Sequence, residues 1–282
     1  MKIKEIIQKL EAFHPPLGNP HTCDVVKIGN ADEECSGIIL TCFASMEVIQ
    51  KAVQEKANLI ICHEPLFYSH EDTTDWLEGD PVYEEKKKLL EENGIVVYRD
   101  HDHIHGGHSG ENIDGIFYGI MNELGWKEYV VGDTKKPLLY EIPQTTVPEL
   151  ADFLMKKLNI SGIRVVGSHD TAVRRVLFCE HVQGTKKPFG DQTEVPDGGV
   201  MKRVRQEQVD VLIPFEIIDW TLSAYVRDSC AAGIPKTILE MGHFNVEELG
   251  MRYMLRYLPR VIGCEVPMKY VQSGDSFSYI TK

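Results

Sequence analysis

Three times in this chain a short, mainly apolar run ends in histidine and carboxylate side chains. Leu59-Ile60-Ile61-Cys62 leads into His63-Glu64-Pro65, and Ile95-Val96-Val97-Tyr98 leads towards His101-Asp102-His103-Ile104-His105. The third run, Thr237-Ile238-Leu239-Glu240, delivers Gly242-His243, with Glu247 four positions on. Runs of this kind read as strands in a largely parallel sheet, whose sites open beyond the carboxyl ends of the strands. All three polar clusters fall at such ends.

The segments between these runs carry helical periodicity. Ile3, Ile6, Ile7 and Leu10 predict a helix that stops before Pro15-Pro16. A strand over 37–43 is followed by a helix over 46–56, capped by Ser45 with Glu47 in its first turn. Strand 58–62, helix 81–93 ended by Gly94, strand 95–98 and helix 112–124 complete a first half. The second half repeats the plan with helix 148–158, strand 174–179, helix 200–208, strand 209–213, helix 219–232, strand 237–240 and helix 246–257. Such alternation means βαβ units.

An internal echo points to duplication. Ala57-Asn58-Leu59-Ile60-Ile61-Cys62-His63-Glu64 lies over Val209-Asp210-Val211-Leu212-Ile213-Pro214-Phe215-Glu216 without a gap. Asn93-Gly94-Ile95-Val96 likewise matches Ala232-Gly233-Ile234-Pro235 ahead of the two later clusters. The expected fold is α/β: two similar halves, 1–132 and 133–282, with largely parallel or mixed sheets facing a shared metal site. The last strand and helix of the second half return ligands to that site. Residues 133–147, with Pro137 and Pro143, read as the junction, and 184–199 as an exposed loop.

Bulk properties exclude several classes. Of 282 residues, 43% are apolar and 26% charged, which gives a globular chain ample core. A net charge of −13 argues against nonspecific nucleic-acid binding, and Lys186-Lys187 and Lys202-Arg203 with Arg205 read as a solvated face. The 7 cysteines form no Cys-x-x-Cys pair, and Cys42 and Cys179 sit inside apolar runs, as buried thiols do. No stretch approaches the roughly 20 apolar residues of a membrane span. The N-terminus opens an amphipathic pattern, so a reducing cytoplasm is the expected compartment.

Imidazole and carboxylate are donors for divalent first-row metals. Pro65 encourages the chain to leave its strand, so His63 and Glu64 can both turn inward. His243 and Glu247 share one helix face at their spacing of four. His101, His103 and His105 share a face if the chain stays extended. Not all of them can touch a metal, and some are expected to hold a ligand's tautomer or to meet substrate.

With these motifs in place, the chain resembles the Nif-three-like dinuclear metal-centre family, also labelled type-two cyclohydrolase-like. The family pattern is a strand followed by His-His-Pro, a later strand followed by His-Thr-Asn-Leu-Asp, and a C-terminal Gly-His with Glu four residues on. Here His63-Glu64-Pro65, His101 to His105, and Gly242-His243 with Glu247 occupy those places, and the Asp24 to Gly29 region also matches. Two positions depart: Glu64 replaces a histidine and His105 an aspartate. The swap keeps three imidazoles and two carboxylates. Either His105 or, in a shifted alignment, Asp102 is then the middle ligand, and Glu247 or Glu64 is the bridge.

The resemblance implies two α/β domains, two divalent metal ions (zinc, iron or manganese) and a toroidal homo-hexamer built as a trimer of dimers. The expected ligands are His63, Glu64, His105 or Asp102, His243 and Glu247. The expected activity is metal-dependent hydrolysis of a small nucleotide-like or phosphorylated substrate, with Glu216 as general base or supporting carboxylate and His101 and His103 orienting substrate or passing a proton. The alternative is a non-enzymatic metal-binding or metal-handling protein that meets partners. An amidohydrolase or metallo-β-lactamase reading of His103-Ile104-His105 leaves the Gly-His-x-x-x-Glu end unexplained.

Overall fold

A computed structural model describes residues 1–18, 20–108, 112–179 and 199–280. The chain divides into two compact units, Met1–Ile120 with Glu247–Gly274, and Met121–Val246 with Asp275–Lys282. The division falls before the junction expected at 132/133, and the C-terminal segment from Glu247 counts with the first unit.

The first unit contains the strands β1 (Val26–Ile28), β2 (Ile38–Thr41), β3 (Leu59–Cys62), β4 (Val96–Arg99) and β10 (Met268–Tyr270). They form one sheet in the order β1-β4-β3-β2-β10, parallel throughout except for β1 against β4. β2, β3 and β4 are buried at every position. Such wholly covered strands need helices on the sheet's faces, and the chain supplies them. Helix α1 (Ile3–Phe13) buries Ile3, Ile6, Ile7 and Leu10, the stripe its spacing predicts. Helix α2 (Met46–Glu55) starts where the Ser45 side chain accepts from Val48 N. Helix α3 (Pro81–Glu92) starts at Asp80, whose carboxylate accepts from Val82 N and Tyr83 N, with proline in the first turn.

Three further helices of this unit position the polar clusters. Helix α4 (Asp102–Gly106) replaces the extended stretch expected after β4, and helix α5 (Gly115–Leu124) follows. Helix α9 (His243–Tyr253) begins in the second unit and runs into the first, with the division between Val246 and Glu247. α5 and α9 approach closely through glycine: a Cβ on Gly119 would lie 2.6 Å from Gly250 Cα. That contact admits no side chain on either partner.

The second unit contains β5 (Leu139–Thr146), β6 (Arg164–Gly167), β7 (Ala172–Cys179), β8 (Val211–Pro214) and β9 (Thr237–Glu240). Their order is β5-β7-β8-β9-β6, with β7, β8 and β9 parallel and both edges antiparallel. Helix α6 (Val147–Leu158) opens on a reciprocal cap between Thr146 and Glu149. Helices α7 (Gly199–Gln206) and α8 (Ala224–Ala231) bury Val204 and Val226 against Leu177, Leu212 and Ile238.

The two sheets are both mixed, and they match strand for strand over four positions. In each, three parallel strands run in sequence order, and the strand preceding them pairs antiparallel with the third. β3 and β8, the two strands of the sequence echo, are the central members. The chain differs from expectation at 133–147, where β5 forms an edge strand instead of a linker. The helix expected over 219–232 is broken, because Asp219–Ser223 forms a wide turn with Thr221 at φ −108° and ψ −108°. The loop expected over 184–199 lies outside the described residues except for Gly199, as do Lys186 and Lys187.

Candidate metal centre

β3 ends at Cys62, and the next two backbone N–H groups both donate to one acceptor. His63 N and Glu64 N lie 2.9 and 2.8 Å from Cys42 O, at the end of the neighbouring β2. This shared carbonyl turns the chain out of the sheet, so that two adjacent side chains are both buried. His63 is fully buried, and its Nδ1–H donates to Asp100 O at 3.0 Å. Among the described residues its Nε2 has no hydrogen-bond partner, and it lies 3.5 Å from Glu247 Oε2. Glu247 is 1% exposed, one side of a pocket of acid that also includes Glu64. Arg99, wholly buried, donates from Nε to His63 O at 2.9 Å and places Nη2 3.9 Å from Glu64 Oε2.

Helix α4 forms because of one carboxylate far away in sequence. Asp24 Oδ1 accepts from His101 N and Asp102 N at 2.8 and 2.9 Å, and Oδ2 accepts from His103 N at 2.7 Å. Those N–H groups would otherwise be orphans at a helix start. The helical turn places His101 and His105 on one side, four residues apart. Their rings lie 5.0 Å apart, and each is within 5 Å of the His63 ring, at 4.7 and 4.9 Å.

All three imidazoles are held by Nδ1. His63 donates to Asp100 O, His101 to Asp102 Oδ1 at 2.9 Å, and His105 to Asp114 Oδ2 at 2.8 Å. Asp114 is itself fixed, because its Oδ1 accepts from Ile116 N and Phe117 N at the start of α5. Anchoring Nδ1 to an oxygen fixes the tautomer and leaves Nε2 as the donor atom, which is how ligating histidines are prepared. The three rings offer donor atoms within 4.8 Å of one another, and so do His63, Glu64 and Glu247. His63 belongs to both groups.

The charges around this cluster are strongly coupled. Burial works against a charged His63, but Glu247 and Glu64 outweigh it and raise the imidazole to about 9. His101 moves the other way, to about 2, through burial and through the neighbouring His63 and His105. Burial favours a neutral Asp102, yet hydrogen bonds from His101, Thr22 and Cys23 hold its carboxyl below the usual range. A divalent cation suits this donor set: imidazole and carboxylate are its preferred ligands, and it would take the place of the proton on His63.

The structure thus gathers His63, Glu64, His105 and Glu247 from the sequence-derived ligands and adds His101, expected to meet substrate. Asp102 spends both oxygens locally, Oδ1 on His101 and Oδ2 on Thr22 Oγ1 at 2.8 Å and Cys23 N at 3.3 Å. His103 turns elsewhere, with Nδ1 2.8 Å from Asp24 Oδ2. His243 and Glu216 form a pair in the second unit, Nδ1 to Oε2 3.3 Å, with the His243 ring 4.7 Å from that of Phe215. Sequence reading missed Asp114, Asp100 and His14. Asp114 carries a signal, since a carboxylate just before a helix is a cap, but nothing local ties it to His105. Among the described residues, no helix is long and apolar enough to cross a membrane.

Comparison with known proteins follows the same lines. The model of the Duf34/NIF3 (NGG1p interacting factor 3) family matches residues 1–273. A Clostridium acetobutylicum protein named GTP cyclohydrolase 1 type 2 homolog is 24% identical over 260 residues, covering 88% of this chain and 85% of the relative. A protein of the same name from Chlamydia muridarum is 21% identical over 94% of this chain and 96% of its own length. Among solved structures, a Bacillus cereus protein related to NIF3 superposes with a TM-score of 0.71 at 15% identity, over 99% of both chains. Reduced HcgD from Methanocaldococcus jannaschii gives 0.63 at 18% identity, over 98% of both chains. At these identities the superpositions establish the fold.

Proposed function

The chain belongs to the Duf34/NIF3 family, and from that premise we propose that it holds two divalent metal ions and hydrolyses a small nucleotide-like or phosphorylated substrate. One observation carries the reading. Three imidazoles are tied down at Nδ1, their rings meet, and the buried Nε2 of His63 has no hydrogen-bond partner among the described residues. A preorganised, largely buried donor set of this kind suits the replacement of a cation's water shell.

The proposed ligands are His63, Glu64, His105, His243 and Glu247, with His101 beside them; the ions are zinc, iron or manganese. Bound there, they would supply Lewis acidity towards a substrate oxygen and lower the pKa of water. The chain's own groups do the rest. Arg99 places Nη2 beside Glu64 and offsets part of its charge, at the position where the family pattern has histidine. Asp114 and Asp102 hold His105 and His101 in the tautomer with Nε2 bare. Glu216 Oε2 faces His243 Nδ1 and orients that ring, and its carboxylate is the proton acceptor when substrate is present. His103, expected to orient substrate, is instead tied to Asp24 outside the group of three imidazoles. The relatives' name, GTP cyclohydrolase 1 type 2 homolog, supports a nucleotide-like substrate.

The complete burial of His63 and Glu247 favours a second reading, a protein that retains metal without turnover. One experiment separates the two. The purified chain is assayed against nucleotide and phosphoester libraries before and after chelation, beside His63→Ala, with metal counted by mass spectrometry. Turnover lost in both the chelated protein and the variant supports the hydrolase. Silence across the libraries with tight metal retention supports the binder, and turnover that survives chelation rejects metal-dependent hydrolysis. The proposed assembly is a homo-hexamer, a trimer of dimers, checked by light scattering. The seven free cysteines suit a reducing cytoplasm as its compartment.

A further inference from the structure

A second group of buried donors in the first unit lies outside the imidazole cluster. Asp100 follows β4. Its backbone carbonyl is committed to His63 Nδ1, but its carboxylate is fully buried, and neither oxygen has a hydrogen-bond partner among the described residues. His14 ends α1, and its side chain is also fully buried. Its Nδ1 is 2.9 Å from Gly107 O, while its Nε2 has no hydrogen-bond partner among the described residues and lies 3.6 Å from Asp100 Oδ2. Asp24 completes the group: its donor atoms and those of Asp100 and His103 lie within 4.8 Å of one another.

A carboxylate without a donor is a poor occupant of a low-dielectric interior. Burial works against a charged His14, but Asp100 outweighs it and favours the protonated ring; that pairing still leaves the carboxylate without a hydrogen bond. At 3.6 Å the ring makes none to Asp100, and one positive charge faces the two negative charges of Asp24 and Asp100. A first-row divalent cation would resolve this, since carboxylate oxygens and a neutral imidazole are donors such ions take together. We propose that the Asp100 carboxylate and His14 Nε2 hold a further divalent cation, separate from the imidazole cluster, with Asp24, committed to the α4 N–H groups and to His103, adding negative charge beside it.

The site has a structural consequence. The backbone of Asp100 orients His63, and the carboxylate of Asp24 anchors the first three N–H groups of the turn that carries His101 and His105. A cation held by Asp100 beside Asp24 links these two supports. It sets the spacing of the three imidazoles without touching them. The proposal does not depend on any catalytic activity of the imidazole cluster.

Manganese alone is the probe. The full-length chain, stripped by chelator and equilibrated with Mn²⁺, is crystallised, and anomalous differences are measured at the manganese edge. A peak in contact with the Asp100 carboxylate and His14 Nε2 is the expected result. A water or empty density there overturns the proposal. In solution, Asp100→Asn and His14→Gln are each expected to lose one equivalent of Mn²⁺ per chain, whereas His63→Ala retains it. An unchanged manganese count in either folded variant overturns the site. If Asp100→Asn does not fold, His14→Gln and the wild-type anomalous map decide.

Discussion

β3 hands over to His63-Glu64, and β8, at the same place in the same strand order, hands over to Phe215-Glu216. The turn is made alike in both: His63 N donates to Cys42 O at the end of β2, and Phe215 N donates to Cys179 O at the end of β7. The third parallel strand of each sheet then delivers a histidine with a second donor four residues on, His101 with His105 after β4 and His243 with Glu247 after β9. One backbone plan thus presents side chains twice, and the residues at the exits decide what each copy does. In the first unit, anchoring groups arrive from other elements: Asp24 caps α4 and Asp114 fixes His105. In the second, Phe215 packs beside His243 in the place where the first has an imidazole. The strand exits recur with the fold, while the fixed tautomers depend on what surrounds each exit.

The sharpest way to break this comparison is to change both exits. Phe215 is 2% exposed, so Phe215→Ala should lower stability by about 3–5 kcal/mol, read from denaturant unfolding. It should leave metal content intact in the folded fraction. His63→Ala should reverse the pattern: metal affinity falls by roughly 100-fold or more, because one donor of both clusters is gone. If both variants lose metal equally, the two exits are not functionally different. A milder change addresses the anchors. Asp114→Asn should weaken metal binding by about 10–100-fold in a competition titration with a chromophoric chelator. An unchanged affinity would mean that His105 needs no fixed tautomer.

Interior strands were legible because their burial is local and total. β2, β3, β4, β8 and β9 are short runs buried on both faces, and each lies within or next to a predicted strand. Helix starts at Ser45 and Asp80 were written in their capping residues or a first-turn proline. The edges were not legible. β1, β6 and β10 are 3 or 4 residues long and lack a fully buried pattern, so their pairing is decided by neighbours remote in sequence. The helical turn α4 is the most instructive difference. Nothing in Asp102-His103-Ile104-His105-Gly106 favours a helix, and the N–H bonds that hold its start come from Asp24, 77 to 79 positions earlier. Alternation put His103 with His101 and His105; the turn separates it. Candidate donors can be read from residue type and strand position, but the groups that orient them cannot, because those are tertiary contacts.

The helices under the central strands offer the finest contrast. Between β3 and β4, α3 buries Lys86 at 1% exposure, whereas between β8 and β9, α8 buries Val226. Lys86 Nζ donates to Leu66 O at 2.7 Å and lies 4.5 Å from the centre of the Phe43 ring. Burial pulls its pKa down to about 8, against which Cys62 and Asp72 act only weakly. The unfolded chain therefore holds a proton on this lysine that the folded chain has released between about pH 8 and 10.5. Stability rises with pH wherever the unfolded state binds more protons, so the sign is positive across that window and flat below it. The wild-type protein should gain about 1–3 kcal/mol relative to Lys86→Met between pH 8 and 10. Urea unfolding of both proteins at the two pH values measures the difference, and groups common to both cancel. Val226→Ala in the second unit, which removes no titrating group, should show no such pH-dependent difference from wild type. Parallel stability curves for wild type and Lys86→Met would show that this lysine keeps its ordinary pKa and that the two helices bury equivalent surfaces.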